Sequence, residues 1–224
     1  DKVYVKRYVE LTDEQKKAYA EMKENALATL NGSSATAFNV LTQLIRLHQI
    51  TCGHMATDSH DIIDIKSNRL DELMQILGEN SGKVIIWANY IYDINQIKKA
   101  VEKEFGEDSY CTYYGATLAK DRQKCINDFQ DPNSPVRFFI GNTQTGGYGI
   151  TLTQASTVIY YSNNYDLEKR IQSEDRAHRI GQMNKVLYID LVAKGTIDVK
   201  IIRSLRNKVN IAKEISGEEL IAWI

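Results

Sequence analysis

The sequence predicts an α/β fold in which a parallel sheet carries helices on both of its faces. From residue 66 onward, short apolar runs alternate with segments of helical periodicity, an order typical of parallel strands joined by helical crossovers. Residues 83–88 are apolar almost throughout, as expected for a strand covered on both sides. Because ligands of such sheets bind beyond the carboxyl ends of the strands, we expect functional residues in the loops that follow them.

Each element of this sheet has its own signal. Runs rich in Val, Ile, Phe and Tyr predict strands, and apolar residues three or four apart predict helices. The predicted strands span residues 83–88, 110–114, 136–140, 157–162 and 186–192. The predicted helices span residues 67–77, 91–105, 118–129, 166–180 and 196 to about 215, the last capped by Thr196.

The first 65 residues are predicted to be mainly helical. An extended start over residues 3–9 leads to a helix that Thr12 caps, with Gln15 at the position of a capping box. A second helix is expected over residues 35–50, and the polar residues 54–61 are expected to form a loop. We therefore expect a helical segment (1–65), an α/β domain (66–215) and a C-terminal tail (216–224).

Composition indicates a soluble globular protein inside a cell. The 224 residues are 43% hydrophobic and 25% charged, and they contain neither an apolar run long enough to span a bilayer nor a signal peptide. We expect no membrane partner, and a location in the cytoplasm or nucleoid of a bacterium or virus-infected cell, or in the nucleus of a eukaryote. The net charge of −1 predicts weak binding to nucleic acid by this chain alone.

The cysteines and histidines give no sign of a disulfide framework or a metal site. The three cysteines are far apart and form no C-x-x-C pair, so we expect reduced thiols. Cys52 lies near three histidines, but their spacing is irregular and a zinc site is not expected. These histidines are His48, His54 and His60.

Residues 172–182, QSEDRAHRIGQ, place an amide and two guanidiniums on one face of the predicted helix. Gln172, Arg176 and Arg179 stand at i, i+4 and i+7. A guanidinium keeps its proton and presents five donors, which suits phosphate oxygens. The ordinary alternative is a solvated helix, since Asp175 and Arg179 also form an i, i+4 pair. The strand and glycine-rich turn upstream favour a phosphate site.

Residues 141–152, GNTQTGGYGITL, form that turn. Glycines let the backbone approach a phosphate or ribose closely, and hydroxyls add donors. A tight turn without a ligand also needs glycine, so the segment alone leaves both interpretations open.

Together these segments resemble a known family. Residues 172–182 resemble motif VI of superfamily 2 helicases, Q-x-x-x-R-x-H-R-I-G-Q, in the form carried by SWI/SNF-type DNA translocases. Residues 141–152 resemble motif V, residues 83–90 resemble motif IV, and residues 114–129 resemble the element that follows it. The resemblance covers nearly the whole chain and is most specific over residues 137–182. It implies the C-terminal RecA-like lobe of a two-lobe ATPase.

The resemblance implies three sets of site residues. Arg176 and Arg179 would be arginine fingers that stabilise charge on the γ-phosphate of ATP, and Gln172 would orient that phosphate. The expected cofactor-binding residues are Gly147, Gly149 and Asp175. The expected DNA-contacting residues are Asn89, Tyr90, Gly115, Ala116, Thr117, Arg122, Thr143, Gln144 and Thr145. Thr117 is also expected to cap the helix that follows it.

The chain departs from the family pattern at two places and lacks two motifs. Thr151 stands where Asn is usual, and Tyr165 stands where Trp is usual. There is no G-x-x-x-x-G-K-[ST] loop and no D-E-x-[HD] box, the motifs that hold triphosphate and Mg²⁺. In the family both lie on the first lobe. We therefore expect ATP and Mg²⁺ to be held mainly by an N-terminal lobe of the same protein, duplex DNA as a partner, and no turnover by this chain alone.

Three alternatives to this interpretation differ from it in their sequence signatures. RNA helicases of the same superfamily usually carry a second arginine pair after the glycine of motif VI, whereas Gln182 and Asn184 follow here. A non-catalytic interaction module that kept the fold is a second alternative, disfavoured by the intact arginine pair. A dinucleotide-binding oxidoreductase domain needs its glycine loop after the first strand, and here the loop follows a later one.

Overall fold

A computed structural model describes residues 1–32, 37–57, 59, 61–145, 149–179, 182, 185–208 and 223. The chain folds into two compact units. The first comprises Asp1–Arg7 and Leu70–Leu191, and the second comprises Tyr8–Arg69 and Val192–Ile224.

Eight strands and seven α-helices are assigned within the described residues. The strands are β1 Lys2–Val9, β2 His54–Ala56, β3 Ile62–Asp64, β4 Lys83–Trp87, β5 Tyr110–Tyr113, β6 Phe138–Gly141, β7 Ala155–Tyr160 and β8 Val186–Ala193. The helices are α1 Asp13–Gly32, α2 Ala37–Cys52, α3 Arg69–Glu79, α4 Ile91–Phe105, α5 Ala119–Gln130, α6 Leu167–Ala177 and α7 Ile197–Arg206.

The first unit is built on a six-stranded sheet in the order β1-β8-β7-β4-β6-β5. Strand β4 pairs in parallel with β6 and β7, β5 pairs in parallel with β6, and β7 pairs in parallel with β8. The carboxyl ends of these strands therefore meet at one edge, where Trp87 stands in register with Gly141 and Tyr160. The predicted α/β fold with a parallel sheet is confirmed.

The centre of this sheet is packed with aromatic rings. The Phe139 ring lies 5.5 Å from Tyr113, 5.6 Å from Phe129 and 5.7 Å from Trp87, measured between ring centroids. A side chain at Gly141 would place its Cβ 2.8 Å from the Tyr113 carbonyl oxygen. Because real Cβ atoms do not approach so closely, glycine is required where β6 ends between its two neighbours.

The second unit contains the two long N-terminal helices and α7. The predicted capping box is confirmed, since the Thr12 backbone N–H donates to the Gln15 side chain (3.1 Å) and the Gln15 N–H donates to the Thr12 hydroxyl (3.1 Å). The predicted cap of the last helix is also confirmed, because the Thr196 hydroxyl accepts from the Asp198 N–H.

A buried polar cluster lies within this second unit. The Arg69 guanidinium pairs with the Asp198 carboxylate and donates to the Thr51 carbonyl (3.0 Å). The Thr51 hydroxyl donates to the same carboxylate (3.0 Å), and His48 Nε2 lies 3.6 Å from it. These side chains are nearly inaccessible to solvent. Each charge is therefore matched by a partner, as burial requires.

Three local predictions were wrong. Residues 54–61 were expected to form a loop, but His54–Ala56 and Ile62–Asp64 pair as an antiparallel hairpin. Cys111 of β5 and Cys125 of α5 form a disulfide, where reduced thiols were expected. The last helix ends at Arg206, with Asn207 as its C-cap, instead of near residue 215. Residues 209–222, with most of the predicted tail, lie outside the described residues.

No helix in the described ranges combines the length and the apolar character needed to cross a bilayer. In the same ranges, no three His, Cys, Asp or Glu side chains are grouped as metal ligands would be. His60, one of the histidines considered above, is outside these ranges.

The second unit should lose stability in mild acid because of His48. Burial lowers the pKa of His48 to about 4, while the unfolded chain titrates near its ordinary value of about 6.5. The unfolded state therefore binds the additional proton between these pH values, and stability falls as pH falls through that window. The loss should reach about 3 kcal/mol and appear as faster hydrogen exchange along α2.

The matched variants are His48→Gln and His178→Gln, the latter a half-buried histidine of the first unit. The first should flatten the acid dependence of exchange in α2, and the second should leave it unchanged. An undiminished dependence in His48→Gln would show that another group is responsible.

Candidate functional site

Helix α6 begins and ends at well-defined caps. The Asp166 carboxylate accepts from the Glu168 N–H (2.9 Å) and the Lys169 N–H (3.4 Å), and His178 is the C-cap. Arg176 therefore lies in the last turn, whereas Arg179 lies beyond the end of the helix. The prediction that both arginines share one helical face with Gln172 is wrong for Arg179.

A buried arginine holds α6 against the sheet. Arg170 donates to Asp190 of β8 (2.5 Å), to Glu174 one turn along (2.8 Å) and to the Asn163 side chain. Its guanidinium carbon also lies 3.5 Å from the centroid of the Tyr160 ring. Although burial alone would lower the pKa of Arg170, the Asp190 charge holds it above its ordinary value.

Glu174 extends this network to β1. Its carboxylate accepts from the Tyr4 hydroxyl (2.6 Å) and from the Lys2 ammonium (3.1 Å). The Tyr188 hydroxyl donates to the Glu174 carbonyl (2.9 Å). The helix is thus tied to three neighbouring strands, which fixes its position along and around its axis.

Arg176 is buried beside the segment that leads into β7. Its Nη1 donates to the Ile150 carbonyl (3.4 Å), and its own carbonyl accepts from the Leu152 N–H (2.9 Å). Burial lowers the pKa of Arg176, the nearby charge of Arg179 lowers it further, and Asp175 opposes both. The protein therefore holds two like charges near each other at some cost in free energy.

Arg179 is exposed but anchored. Its Nη1 donates to the Thr151 hydroxyl (2.7 Å) and to the Gly149 carbonyl (3.3 Å). Gly149 has a φ of +75°, a conformation that suits glycine. Within the described residues, both hydrogen bonds of Arg179 use Nη1, so Nε and Nη2 can serve an incoming anion. Thr151, a departure from the family pattern, is thus the residue that positions this side chain.

For the other predicted catalytic and cofactor-binding residues, the structure gives no hydrogen bond to Arg176 or Arg179 within the described residues. Gln172 is half-buried on α6. Asp175 is exposed, and its carboxylate accepts from the Lys2 ammonium (3.0 Å). Gly147 lies outside the described residues, together with residues 146 and 148.

A second set of predicted residues meets at the carboxyl edge of the sheet, around Asn142. The Asn142 amide donates to the carbonyls of Ala88 (3.2 Å) and Asn89 (2.9 Å), and its oxygen accepts from the Gln144 N–H (2.8 Å). The Asn89 N–H donates to Ser162 (2.8 Å), so the loops after β4, β6 and β7 are joined.

Sequence reasoning did not select Asn142. The available signal was its position as the first residue after a buried strand, where an amide can bridge neighbouring loops. Thr143 beside it is buried, Gln144 is exposed, and the Thr145 N–H donates to the Asn142 carbonyl (3.2 Å). Tyr90, the remaining predicted residue of the β4 loop, is half-buried before α4.

The turn after β5 presents Gly115 and Ala116 to solvent. Arg122 supports it from α5, donating to the carbonyls of Tyr114 (3.2 Å) and Gly115 (2.9 Å). The Thr117 hydroxyl accepts from the Tyr114 N–H (3.2 Å) and donates to the Thr112 carbonyl (3.4 Å). The prediction that Thr117 caps α5 is wrong, since Leu118 is the N-cap and no side chain caps the helix.

The predicted residues therefore fall into two groups. Asn89, Tyr90, residues 115–117 and residues 143–145 follow the strand ends at the carboxyl edge. Arg176 and Arg179 instead contact residues 149–152, the segment that precedes β7. Two neighbouring guanidiniums beside Gly149 form a donor set that fits phosphate, because planar guanidiniums match its oxygens and glycine accepts close approach of an anion.

A six-stranded parallel sheet with helices, as found here, is the architecture of a RecA-like helicase lobe. The family described as "Helicase conserved C-terminal domain" matches residues 66–181, more than half of the chain. The chain belongs to this family, and the predicted SWI/SNF-type membership is confirmed by its relatives.

Two curated relatives illustrate the likeness. The "ISWI chromatin-remodeling complex ATPase ISW1" of Saccharomyces cerevisiae is 29% identical over 225 residues, covering 91% of this chain and 19% of that protein. The "Putative ATP-dependent helicase/translocase YwqA" of Bacillus subtilis is 29% identical over 235 residues, covering 100% of this chain and 25% of that protein. The chain thus spans about a fifth to a quarter of the length of these relatives.

Solved structures share the fold. The "Sulfolobus solfataricus SWI2/SNF2 ATPase core in complex with dsDNA" superimposes with a TM-score of 0.77 at 26% identity, covering 100% of this chain and 50% of that chain. The C-terminal domain of the same ATPase, at 24% identity, covers 100% of this chain and 94% of its own with a TM-score of 0.73. The predicted RecA-like C-terminal lobe is confirmed at the level of fold.

Removing one partner of the buried ion pair should destabilise the first unit. Asp190→Asn removes one of the two carboxylates that pair with buried Arg170 and leaves only that of Glu174, and we expect a loss of about 3 kcal/mol in the free energy of unfolding by urea. Asp108→Asn, at an exposed carboxylate, is the matched control and should change it little. The double variant Arg170→Met/Asp190→Leu should cost less than Asp190→Asn. Equal effects of the two single asparagine variants would contradict this assignment.

Proposed function

We propose that this chain is the C-terminal lobe of an ATP-dependent, SWI/SNF-type DNA translocase acting inside the cell. In this proposal Arg176 and Arg179 contact phosphates of ATP that is bound mainly by a second, N-terminal lobe of the same protein. The loops at the carboxyl edge contact the backbone of duplex DNA. Functionally, residues 1–65 link the lobes, residues 66–215 form the working domain and residues 216–224 are a tail.

The arginine pair supports the proposal most directly. Arg176 is buried with a lowered pKa because of burial and the nearby Arg179, and Arg179 is held by Gly149 and Thr151. Holding two guanidiniums together costs free energy unless an anion lies opposite. Phosphoryl groups carry the spread negative charge that planar guanidiniums recognise.

The contribution of this chain to hydrolysis would be electrostatic. Arg176, fixed by α6, would supply a preset charge, and Arg179 would turn its available N–H groups toward the transferred phosphate. Gln172, on the same helix as Arg176, would orient the transferred phosphate. Mg²⁺ would neutralise phosphate charge when bound, and we assign no ligand for it in this chain. An arginine finger accelerates phosphoryl transfer roughly 10³–10⁵-fold.

The contact with DNA would be made by exposed groups of the loops after β5 and β6, with the loop after β4 beside them. Gly115, Ala116 and Gln144 are exposed. Thr117, Arg122, Asn89 and Asn142 instead have intramolecular partners that hold these loops in place. Backbone amides and amide side chains recognise phosphates without base specificity, which suits a protein that moves along DNA.

The arginine assignment is tested in the full-length protein by Arg179→Ala. We expect DNA-stimulated ATP hydrolysis to fall at least about a hundredfold, because charge on the transferred phosphate loses its partner. Arg179→Lys should recover only part of the rate, since a lysine lacks the planar fork.

Arg203→Ala, at an exposed arginine on α7, is the matched control and should retain normal turnover. The isolated 224-residue chain should give no turnover above buffer. If Arg179→Ala stays within about twofold of the parent, the finger assignment is wrong.

The DNA assignment is tested by two variants, each of which adds one negative charge, one at the carboxyl ends of the strands and the other at their amino ends. Ala116→Glu places a carboxylate on the exposed turn after β5, and Asn133→Glu places one on the exposed loop before β6. In the full-length protein the first should weaken duplex DNA binding roughly tenfold by repulsion of phosphates, and the second should not. If a fluorescence titration gives the two variants equal affinities for duplex DNA, the carboxyl edge of the sheet is not part of the DNA interface.

The nucleic-acid partner is decided by comparing duplex DNA with single-stranded RNA as activators of ATP hydrolysis. Stimulation by duplex DNA is expected, in keeping with the solved relative that is bound to dsDNA. Stimulation by RNA alone would favour an RNA helicase lobe. A full-length protein that binds partners but neither ATP nor nucleic acid would be a non-catalytic module.

A further inference from the structure

The disulfide between Cys111 and Cys125 lies in an acidic cleft on the first unit. Both cysteines line a cavity of about 480 Å³ beside β5, the last strand of the sheet. The carboxylates around it are those of Glu107, Asp108, Asp121 and Asp128, and the one lysine that lines it, Lys124, pairs with Asp128 (2.8 Å). The disulfide sulfurs in this cleft therefore lie in a negative electrostatic potential.

We propose that Cys111–Cys125 is a redox-active site that exchanges with small thiols, and that its acidic cleft favours cationic or neutral thiols over anionic ones. Cys111 is half-buried and Cys125 is buried, so a thiolate entering the cleft attacks Cys111 Sγ. Field lines focused in a cleft raise the local concentration of ions of opposite charge and deplete those of like charge.

The exchange balances with two equivalents of thiol. The entering thiolate forms a bond to Cys111 Sγ, the bond between the two cysteines breaks, and Cys125 leaves as a thiolate that takes a proton from solvent. A second thiolate attacks the sulfur that was added, releases Cys111 as a thiolate and forms the small-molecule disulfide. The protein gains two electrons and two protons, and the two thiols are oxidised to one disulfide; an excess of that disulfide reverses the sequence.

The redox state should control one defined segment. The disulfide closes a loop with a sequence separation of 14 residues, from the middle of β5 to the middle of α5. This loop contains the Gly115–Thr117 turn and Arg122. Closing a loop removes conformational freedom from its open states, so reduction should let α5 open more often. If the proposed DNA contact holds, this places thiol chemistry next to it.

The test uses the intact chain and three probe thiols of similar size, which differ in the charge of their second group: cysteamine carries an ammonium, 2-mercaptoethanol a neutral hydroxyl and 3-mercaptopropionate a carboxylate. Thiols are titrated in denaturant, and the oxidised chain should give one, from Cys52, while the reduced chain gives three. The rate of disulfide reduction by each probe is divided by its thiolate concentration and by its rate with an unstructured peptide disulfide. At low salt this normalised rate should be roughly tenfold higher for cysteamine than for 3-mercaptopropionate.

The charge preference should collapse at 1 M salt and in Asp108→Asn/Asp121→Asn, while Asp13→Asn, an exposed carboxylate of the second unit, should preserve it. Reduction and the Cys111→Ser variant should each raise hydrogen exchange along α5 about tenfold without changing that of α2. Three thiols after treatment with oxidised cysteamine, equal normalised rates for all probes, or unchanged exchange in α5 would each overturn the proposal.

Discussion

The buried ion pair between Arg170 and Asp190 is the interaction on which the geometry of the first unit depends. One guanidinium contacts β8 through Asp190, the loop after β7 through Asn163, and the ring of Tyr160. Through Glu174 the same network reaches β1. A buried ion pair seldom adds net stability over a well-packed apolar pair, but it has a single arrangement that satisfies it. The Arg170–Asp190 pair therefore acts on position: it sets the rotation of α6 about its axis and so the direction in which Arg176 points.

That rotation explains how the protein holds two like charges. Six residues beyond Arg170, Arg176 turns into the segment before β7, where its carbonyl accepts from Leu152 and its guanidinium reaches Ile150. Burial, and then the nearby Arg179 charge, lower the pKa of Arg176, and both disfavour its charged form. Arg176 is already buried and fixed, so this side chain would need little further desolvation or reorientation when an anion binds. The Arg170 network holds α6, and with it Arg176, in this position.

Sequence patterns predicted those features that depend on neighbours in the chain. The capping box of Thr12 and Gln15 and the cap at Thr196 need only residues two or three apart. The strands of the sheet were recognisable because both faces are buried, which leaves long apolar runs. The hairpin of β2 and β3 was missed because strands of three residues are too short to show a period of two.

The remaining misses depend on tertiary contacts. Cys111 and Cys125 are brought together by the packing of α5 beside β5, and neither spacing nor composition indicates that packing. Arg170 resembled any surface arginine of a polar helix until Asp190 of β8 was placed opposite it. Arg179 was assigned to the helix because the Q-x-x-x-R-x-x-R spacing fits helical periodicity. Helix α6 ends at Ala177, before it reaches Arg179. The position of the Arg179 side chain is instead fixed by Thr151, two residues after a glycine with positive φ.

The anchor at position 151 has a chemical requirement of its own. A neutral acceptor such as the Thr151 hydroxyl gives Arg179 a hydrogen bond worth about 1 kcal/mol net, enough to orient the side chain. A phosphate oxygen forms a charge-assisted hydrogen bond that is roughly twice as strong. Under the proposed function, the exchange of the Thr151 hydroxyl for a phosphate oxygen by Arg179 is therefore favourable in free energy. An aspartate at this position would hold the guanidinium as an ion pair and compete with the phosphate. Asparagine, the residue usual in the family, is again a neutral acceptor. The departure at Thr151 therefore preserves the property that the site needs, an orienting contact weak enough to be given up.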